Sequence, residues 1–233
     1  MPFAPFIFLI CLVAGIAYLI YVKRKERELI EQVTPITRGE WSERRVVLKL
    51  LKAGINPKAI FHDLYIQKPN GTYTQVDVAV ATKVGLIVFE VKDYSGWIFG
   101  NEKYKMWTQT LPQGKGRPSK KEKFLNPIMQ NKLHIRCLNE YLKEEYPVYS
   151  VIAFSQRCEL KKIELVSDNA AVVKRNDILK VLAKNSKYVG QLDEKTISEI
   201  YDKLYPLTQV SEEVKKQHIE NIKKETENEN FGN

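Results

Sequence analysis

Apolar residues crowd two adjacent stretches of this chain, Thr74–Thr82 and Leu86–Lys92, with only Lys83-Val84-Gly85 between them. So short a break predicts a tight antiparallel hairpin. Before it, Ile60 to Gln67 reads as a strand closed by the turn signal Lys68-Pro69-Asn70-Gly71. Glu40 to Ala53 carries Val46, Val47, Leu50 and Leu51 at helical spacing, with Gly54 as C-terminal cap. Ser95 to Trp107 reads as further extended structure, and Thr110 to Lys123 as a polar, cation-rich loop. Asn126-Pro127 starts a second helix whose apolar side runs through Met129, Leu133, Cys137 and Tyr141. Val148 to Phe154 and Ala170 to Val173 read as strands, with later helices starting near Asp177 and Thr196. Helix, three strands, helix, strand predicts an α/β sandwich around one mixed sheet.

The ends of the chain have a different character. Phe3 to Val22 is uncharged and almost wholly apolar, about the 20 residues that a helix needs to cross a bilayer. Lys23-Arg24-Lys25 and Arg27 follow it and no basic residue precedes it, which predicts a single-pass anchor in the cell membrane, N-terminus outside and C-terminal domain cytoplasmic. The predicted organisation is an anchor over 1–22, a juxtamembrane linker over 23–36, a folded domain over 37–206 and a polar, partly disordered tail over 207–233.

Net charge is +9, which suits a polyanionic partner, nucleic acid or anionic lipid. Cys137 and Cys158 lack CxxC spacing, Cys11 lies in the apolar run, and His62, His134 and His218 are far apart. Neither a disulfide framework nor a zinc site is predicted from that spacing.

The candidate chemistry lies in three charges that the strand pattern should exclude: Asp77, Glu90 and Lys92. Charge on a buried strand costs several kcal/mol unless paired, protonated or metal-bound. Glu90 and Lys92 share a strand face. A two-residue loop at Lys83-Val84 sets Asp77 across from Glu90, whereas a one-residue slip turns it to the opposite face. Two carboxylates on neighbouring strands, with the Val91 carbonyl as a further oxygen, suit Mg²⁺ or Mn²⁺. Lys92 is then placed to orient a water or neutralise a phosphate. Glu43, one helical turn before Val47, is expected to reach the same cavity, and Gln130 and His134, one turn apart, to position substrate. Lys115, Arg117, Lys120 and Lys121 are candidate phosphate contacts. The plainer readings are a structural Glu90–Lys92 ion pair, a solvated Asp77, an exposed Glu43, a solvated basic loop, and Trp97, Tyr104 and Trp107 as core or rim aromatics rather than base-stacking ones.

Four motifs in order, Gly39-x-x-Ser42-Glu43-x-x-Val46, Gln75-Val76-Asp77, Phe89-Glu90-Val91-Lys92-Asp93-Tyr94-Ser95-Gly96 and Asn126-Pro127-x-x-Gln130-x-x-x-His134, resemble those of NERD (nuclease-related) domains over roughly Thr37 to Phe154. These are similar to the PD-(D/E)xK nucleases. The resemblance implies a restriction-endonuclease-like αβββαβ core with a mixed central sheet, here preceded by one transmembrane helix. It implies Asp77 and Glu90 as metal ligands, Lys92 as the catalytic lysine and Glu43 as the first-helix acid. Gln130-x-x-x-His134 is similar to a Gln-x-x-x-Tyr helix motif, with histidine for tyrosine. The expectation is a membrane-anchored, Mg²⁺-dependent nuclease acting on DNA. The alternatives are a non-catalytic nucleic-acid tether or membrane-bound interaction module with the same fold, and a domain whose basic surface serves anionic lipid.

Overall fold

The computed structural model describes residues 3–144, 146–185 and 192–231. The first two residues of the expected anchor and the last two of the expected tail lie outside the described residues. Helix α1 (Phe3–Ile30) contains, within Ile7–Ile30, a stretch long and apolar enough to cross a membrane, with none of that stretch buried against the protein. The helix does not stop at the basic residues that follow its apolar part. Its last turns dock on α2 (Trp41–Lys52): Glu26 pairs with Arg45 at 2.9 Å and with Lys52 at 2.5 Å, while Leu29 and the buried Ile30 turn inward.

Strands β1 (Ile60–Gln67), β2 (Tyr73–Thr82), β3 (Gly85–Lys92), β7 (Val148–Phe154) and β9 (Ala170–Lys174) form a five-stranded sheet in the order β1-β2-β3-β7-β9. The first three pair antiparallel and the last two join in parallel, so the sheet is mixed. β2 and β3, apolar on both faces, lie inside it, as such strands should. One face packs Phe61, Leu64, Val76 and Leu86 against α3 (Pro127–Leu142) and α5 (Glu194–Leu204). The other packs Val78, Val80, Ile87 and Phe89 against α2 and α4 (Ile178–Asn185).

The expectation of a single sheet is corrected: β4 (Gly96–Asn101), β5 (Met106–Leu111), β6 (Lys120–Leu125) and β8 (Cys158–Glu164) form a second sheet in the order β6-β5-β4-β8. It grows out of the first. The parallel pair β3–β7 ends with Lys92 beside Phe154, breaks, and resumes as β4–β8 with the same offset, Gly96 beside Cys158. Ser155 holds the break, its N–H donating to the Lys92 carbonyl (2.9 Å) and its hydroxyl to the Tyr94 carbonyl (2.6 Å). Ile98, Trp107, Phe124 and Leu160 face inward onto Ile128 and Phe154. Two further corrections follow from this sheet. The segment read as a loop over Thr110 to Lys123 is loop only over 112–119; its ends are strand, Thr110 and Leu111 closing β5 and Lys120 to Lys123 opening β6, where Lys121 and Lys123 alternate with Glu122 and Phe124. β8 has no counterpart in the sequence reading, because its alternation is dominated by charge. The polar segment beyond 206 carries helix α6 (Glu212–Phe231).

Helix α3 is fixed at two points. The Asn126 side chain accepts from the Ile128 N–H at 2.9 Å and donates to the carbonyls of Asn101, Glu102 and Tyr104. Asn131, fully buried, donates to the Val88 carbonyl (2.9 Å) and the Ser150 hydroxyl (2.8 Å), tying the helix to β3 and β7. Breaking buried hydrogen bonds of this kind costs about 1–3 kcal/mol. Asn131→Ala should therefore lower the urea unfolding midpoint of the full chain in detergent by an equivalent amount, whereas a change under about 0.5 kcal/mol would contradict this role.

Candidate active site

The register of the central hairpin decides the site. Thr82 pairs with Gly85 and the ladder ends with Val78 beside Phe89, so the turn is the two residues Lys83-Val84 and Asp77 and Glu90 each lie one residue beyond the last pair. Gly85, at φ 132°, lies where a Cβ would strike the Pro147 carbonyl, so the hairpin closes against β7 only with glycine there. The Asp77 carboxylate turns toward β3 and accepts the Val91 N–H at 2.7 Å.

Asp77, Glu90 and Lys92 thus line one cavity of about 410 Å³, with Gln130 and His134 from α3. Lys92 Nζ lies 2.6 Å from Glu90 Oε1, the ion pair of the plainer reading, but the pair faces the cavity rather than a closed interior. His134 stands with Nδ1 2.7 Å from Thr74 Oγ1 and Nε2 3.2 Å from Glu90 Oε2. That second contact is not aligned as a hydrogen bond, so Glu90 Oε2, though buried, has no hydrogen-bond partner. Gln130 Oε1 is likewise buried without one. Asn131 and Asn139 Oδ1 share this state outside the cavity, so it is the position of Glu90 and Gln130 beside Asp77 that ties theirs to a ligand.

The charge states follow from the surroundings. Burial, then the nearby Glu90 and Glu43 carboxylates, push the Asp77 carboxyl well above the usual aspartate range. Burial pushes Glu90 up too, but Lys92 and His134 outweigh it and hold Glu90 down at about 2. Burial opposes the charge on Lys92, yet Glu90 and Asp77 together raise its pKa, so it stays an ammonium. Two carboxylates with room for only one negative charge between them suit a divalent cation, which would relieve their repulsion.

The other sequence candidates fall differently. Glu43 is buried, not exposed, but does not line the cavity. Its Oε2 accepts from the Glu40 N–H (3.1 Å) and lies 3.1 Å from Nε2 of His62, whose Nδ1 is 3.0 Å from Thr34 Oγ1. It acts on the cavity through its charge at Asp77. Gly39 belongs to this support: its φ is +62°, and a Cβ there would sit 2.5–2.6 Å from His62 and Glu43. Lys115, Arg117, Lys120 and Lys121 belong to the β5–β6 hairpin, exposed and outside the cavity lining, with Lys120 paired to Glu122 at 2.5 Å. Only Leu125, at the end of β6, reaches the cavity. Trp107 is core, 1% exposed. Among the described residues no group of three or more His, Cys, Asp or Glu side chains is set to hold a metal, so a cation here would rest on Asp77, Glu90 and backbone or amide oxygen.

Several lining residues were given no role from sequence, Gln75 entering only as part of the Gln75-Val76-Asp77 motif. Tyr73 and Gln75 alternate with Asp77 on one strand face, a period-two signal that was available. His218, Asn221 and Ile222 come from α6, at helical spacing, and His218 Nδ1 donates to the Tyr73 carbonyl at 3.1 Å.

The chain is 29% identical over 193 residues, 82% of its length, to an uncharacterized protein of Bacillus anthracis, covering 86% of that protein. No solved structure matches it. The family model described as the nuclease-related domain matches residues 38–155, the segment that holds Glu43, Asp77, Glu90, Lys92, Gln130 and His134. The chain belongs to the NERD, or nuclease-related domain, family.

Proposed function

We propose that this protein is a membrane-anchored, cytoplasm-facing nuclease that hydrolyses phosphodiester bonds, of DNA first, with Mg²⁺ or Mn²⁺. The observation that carries the reading is the pair of buried oxygens without hydrogen bonds, Glu90 Oε2 and Gln130 Oε1, in the cavity shared by Asp77 and Lys92. Asp77 and Glu90 would hold the cation, with the Gln130 amide in the same cavity; Val91 is not among the cavity's lining residues and meets Asp77 through its N–H. When bound, such an ion polarises a phosphate and eases deprotonation of water. Lys92, kept charged by Glu90, stabilises negative charge on the phosphate rather than acting as a base. His134, steadied by Thr74, keeps Glu90 oriented, and Gln130 offers an amide to the substrate or the ion. Burial, then Glu90 and then Glu43, raises the Asp77 pKa, a shift that a bound cation would oppose.

The basic residues after the apolar part of α1 favour a cytoplasmic domain. The unbroken run of α1 into contact with α2 supports a nuclease held close to the membrane surface.

A second reading, a nucleic-acid tether without catalysis, draws on the close Glu90–Lys92 pair. It expects salt-sensitive, metal-independent binding and no cutting.

Asp77→Asn, Glu90→Gln and Lys92→Ala in the full chain should each lower Mg²⁺- or Mn²⁺-dependent DNA cleavage at least about 100-fold. Cleavage that survives all three would end the assignment. The pH dependence has a definite sign. Because the Asp77 pKa is raised in the fold, its contribution to metal-free stability is full below the ordinary aspartate pKa and is lost as pH rises through the raised value. Glu90 behaves oppositely, losing its contribution only as pH falls toward about 2. Mg²⁺ affinity by calorimetry should therefore strengthen with rising pH, with proton release on binding. Asp77→Asn should flatten that dependence, and a wild type with pH-independent affinity would contradict it.

A further inference from the structure

Among the described residues no helix packs closely on the outer face of the second sheet, which carries an ordered set of side chains. Trp97 and Phe99, two apart on β4, are each 37% exposed, while Ile98 between them is buried. In the ladder Trp97 pairs with Thr110 and Thr110 with Lys121; Phe99 pairs with Thr108 and Thr108 with Lys123. Each cross-strand row therefore reads aromatic, threonine, lysine. The next residues along the same face are Met106 and its partner Leu125, and Leu125 lines the active-site cavity.

We propose that this face is a binding platform for a single, unpaired nucleic-acid strand, which it leads past Leu125 into the cavity. The threonines of β5, Thr108 half-buried and Thr110 buried, form the floor between an aromatic rail and a cationic rail about 10 Å apart, two strand spacings. Bases stack on Trp97 and Phe99 while phosphates lie along Lys121 and Lys123. The spacing selects the strand state. Rings two residues apart on a strand are separated by about 7 Å, whereas stacked bases in a duplex step by about 3.4 Å. A duplex also buries the base faces that the rings need. On the far edge, Glu159 and Glu164 already engage Lys161 and Lys162 at 2.6 and 2.9 Å, so the cationic side of the platform is β6. The turn between β5 and β6 extends the same charge with Lys115 and Arg117.

The destination of the strand rests on the nuclease reading; its binding does not, and the experiment separates them. The full chain in neutral detergent with EDTA is titrated against fluorescent oligothymidylate, oligouridylate and a duplex of equal length. One or both single strands should bind tighter than the duplex. Trp97→Ala and Phe99→Ala should each weaken that binding about tenfold. Lys121→Glu with Lys123→Glu should weaken it and reduce the slope of log affinity against log salt by about 1.4, the value for two phosphate contacts on a single strand. All four side chains project from the exposed face, so the variants keep the inner packing. Binding unchanged in the aromatic variants, or equal affinity for duplex, would overturn the platform. So would a wild type that ignores oligonucleotides but binds phosphatidylserine vesicles through these residues. Strand binding through these residues without any Mg²⁺-dependent cutting would overturn the nuclease reading and leave the platform standing.

Discussion

The structure turns on two carboxylates facing each other across a hairpin that buries nearly everything else. Asp77 and Glu90 are brought together by the register that closes Thr82 on Gly85, and slipping that register by one residue would turn Asp77 to the opposite face of the sheet. The repulsion is only partly offset. Lys92 and His134 hold Glu90 ionised, and Asp77 takes the strain as a raised pKa. A fold selected for stability alone would place apolar side chains here, since buried ion pairs seldom outperform them. The cost is explained if the site exists to bind charge.

Around that pair the molecule is built as support. Asn131 clamps α3 onto β3 and β7, which sets the depth of Gln130 and His134 in the cavity. Glu43 reaches Asp77 only as charge, held in place by His62 and the Glu40 N–H, with Gly39 absent a side chain so that these can pack. The second sheet, continuous with the first through the interrupted β3–β7 ladder, adds the wall that ends in Leu125. From the other side α6 contributes His218 and Asn221.

Much of this was legible because strand alternation and turn chemistry are local. The Lys83-Val84 turn, the Asn126 cap and the Asp77-to-Glu90 register all follow from short stretches of sequence. The second sheet was not legible. Its strands are short, rich in lysine and glutamate, and resemble loops until a partner strand fixes which face is inside. The position of Glu43 was half legible: the sequence offered an exposed helical glutamate or one reaching the cavity, and His62, far off in sequence, holds it buried but outside the cavity lining. α6 reads as a polar tail because its buried contacts are few and spaced along one face.

The central claim is that Asp77 and Glu90 share a divalent cation. Anomalous diffraction from crystals grown with Mn²⁺ addresses it without reference to turnover. The expected result is a manganese peak between the two carboxylates, lost in Asp77→Asn. A peak elsewhere, or none at saturating Mn²⁺ with Lys92 still closed on Glu90, would contradict it.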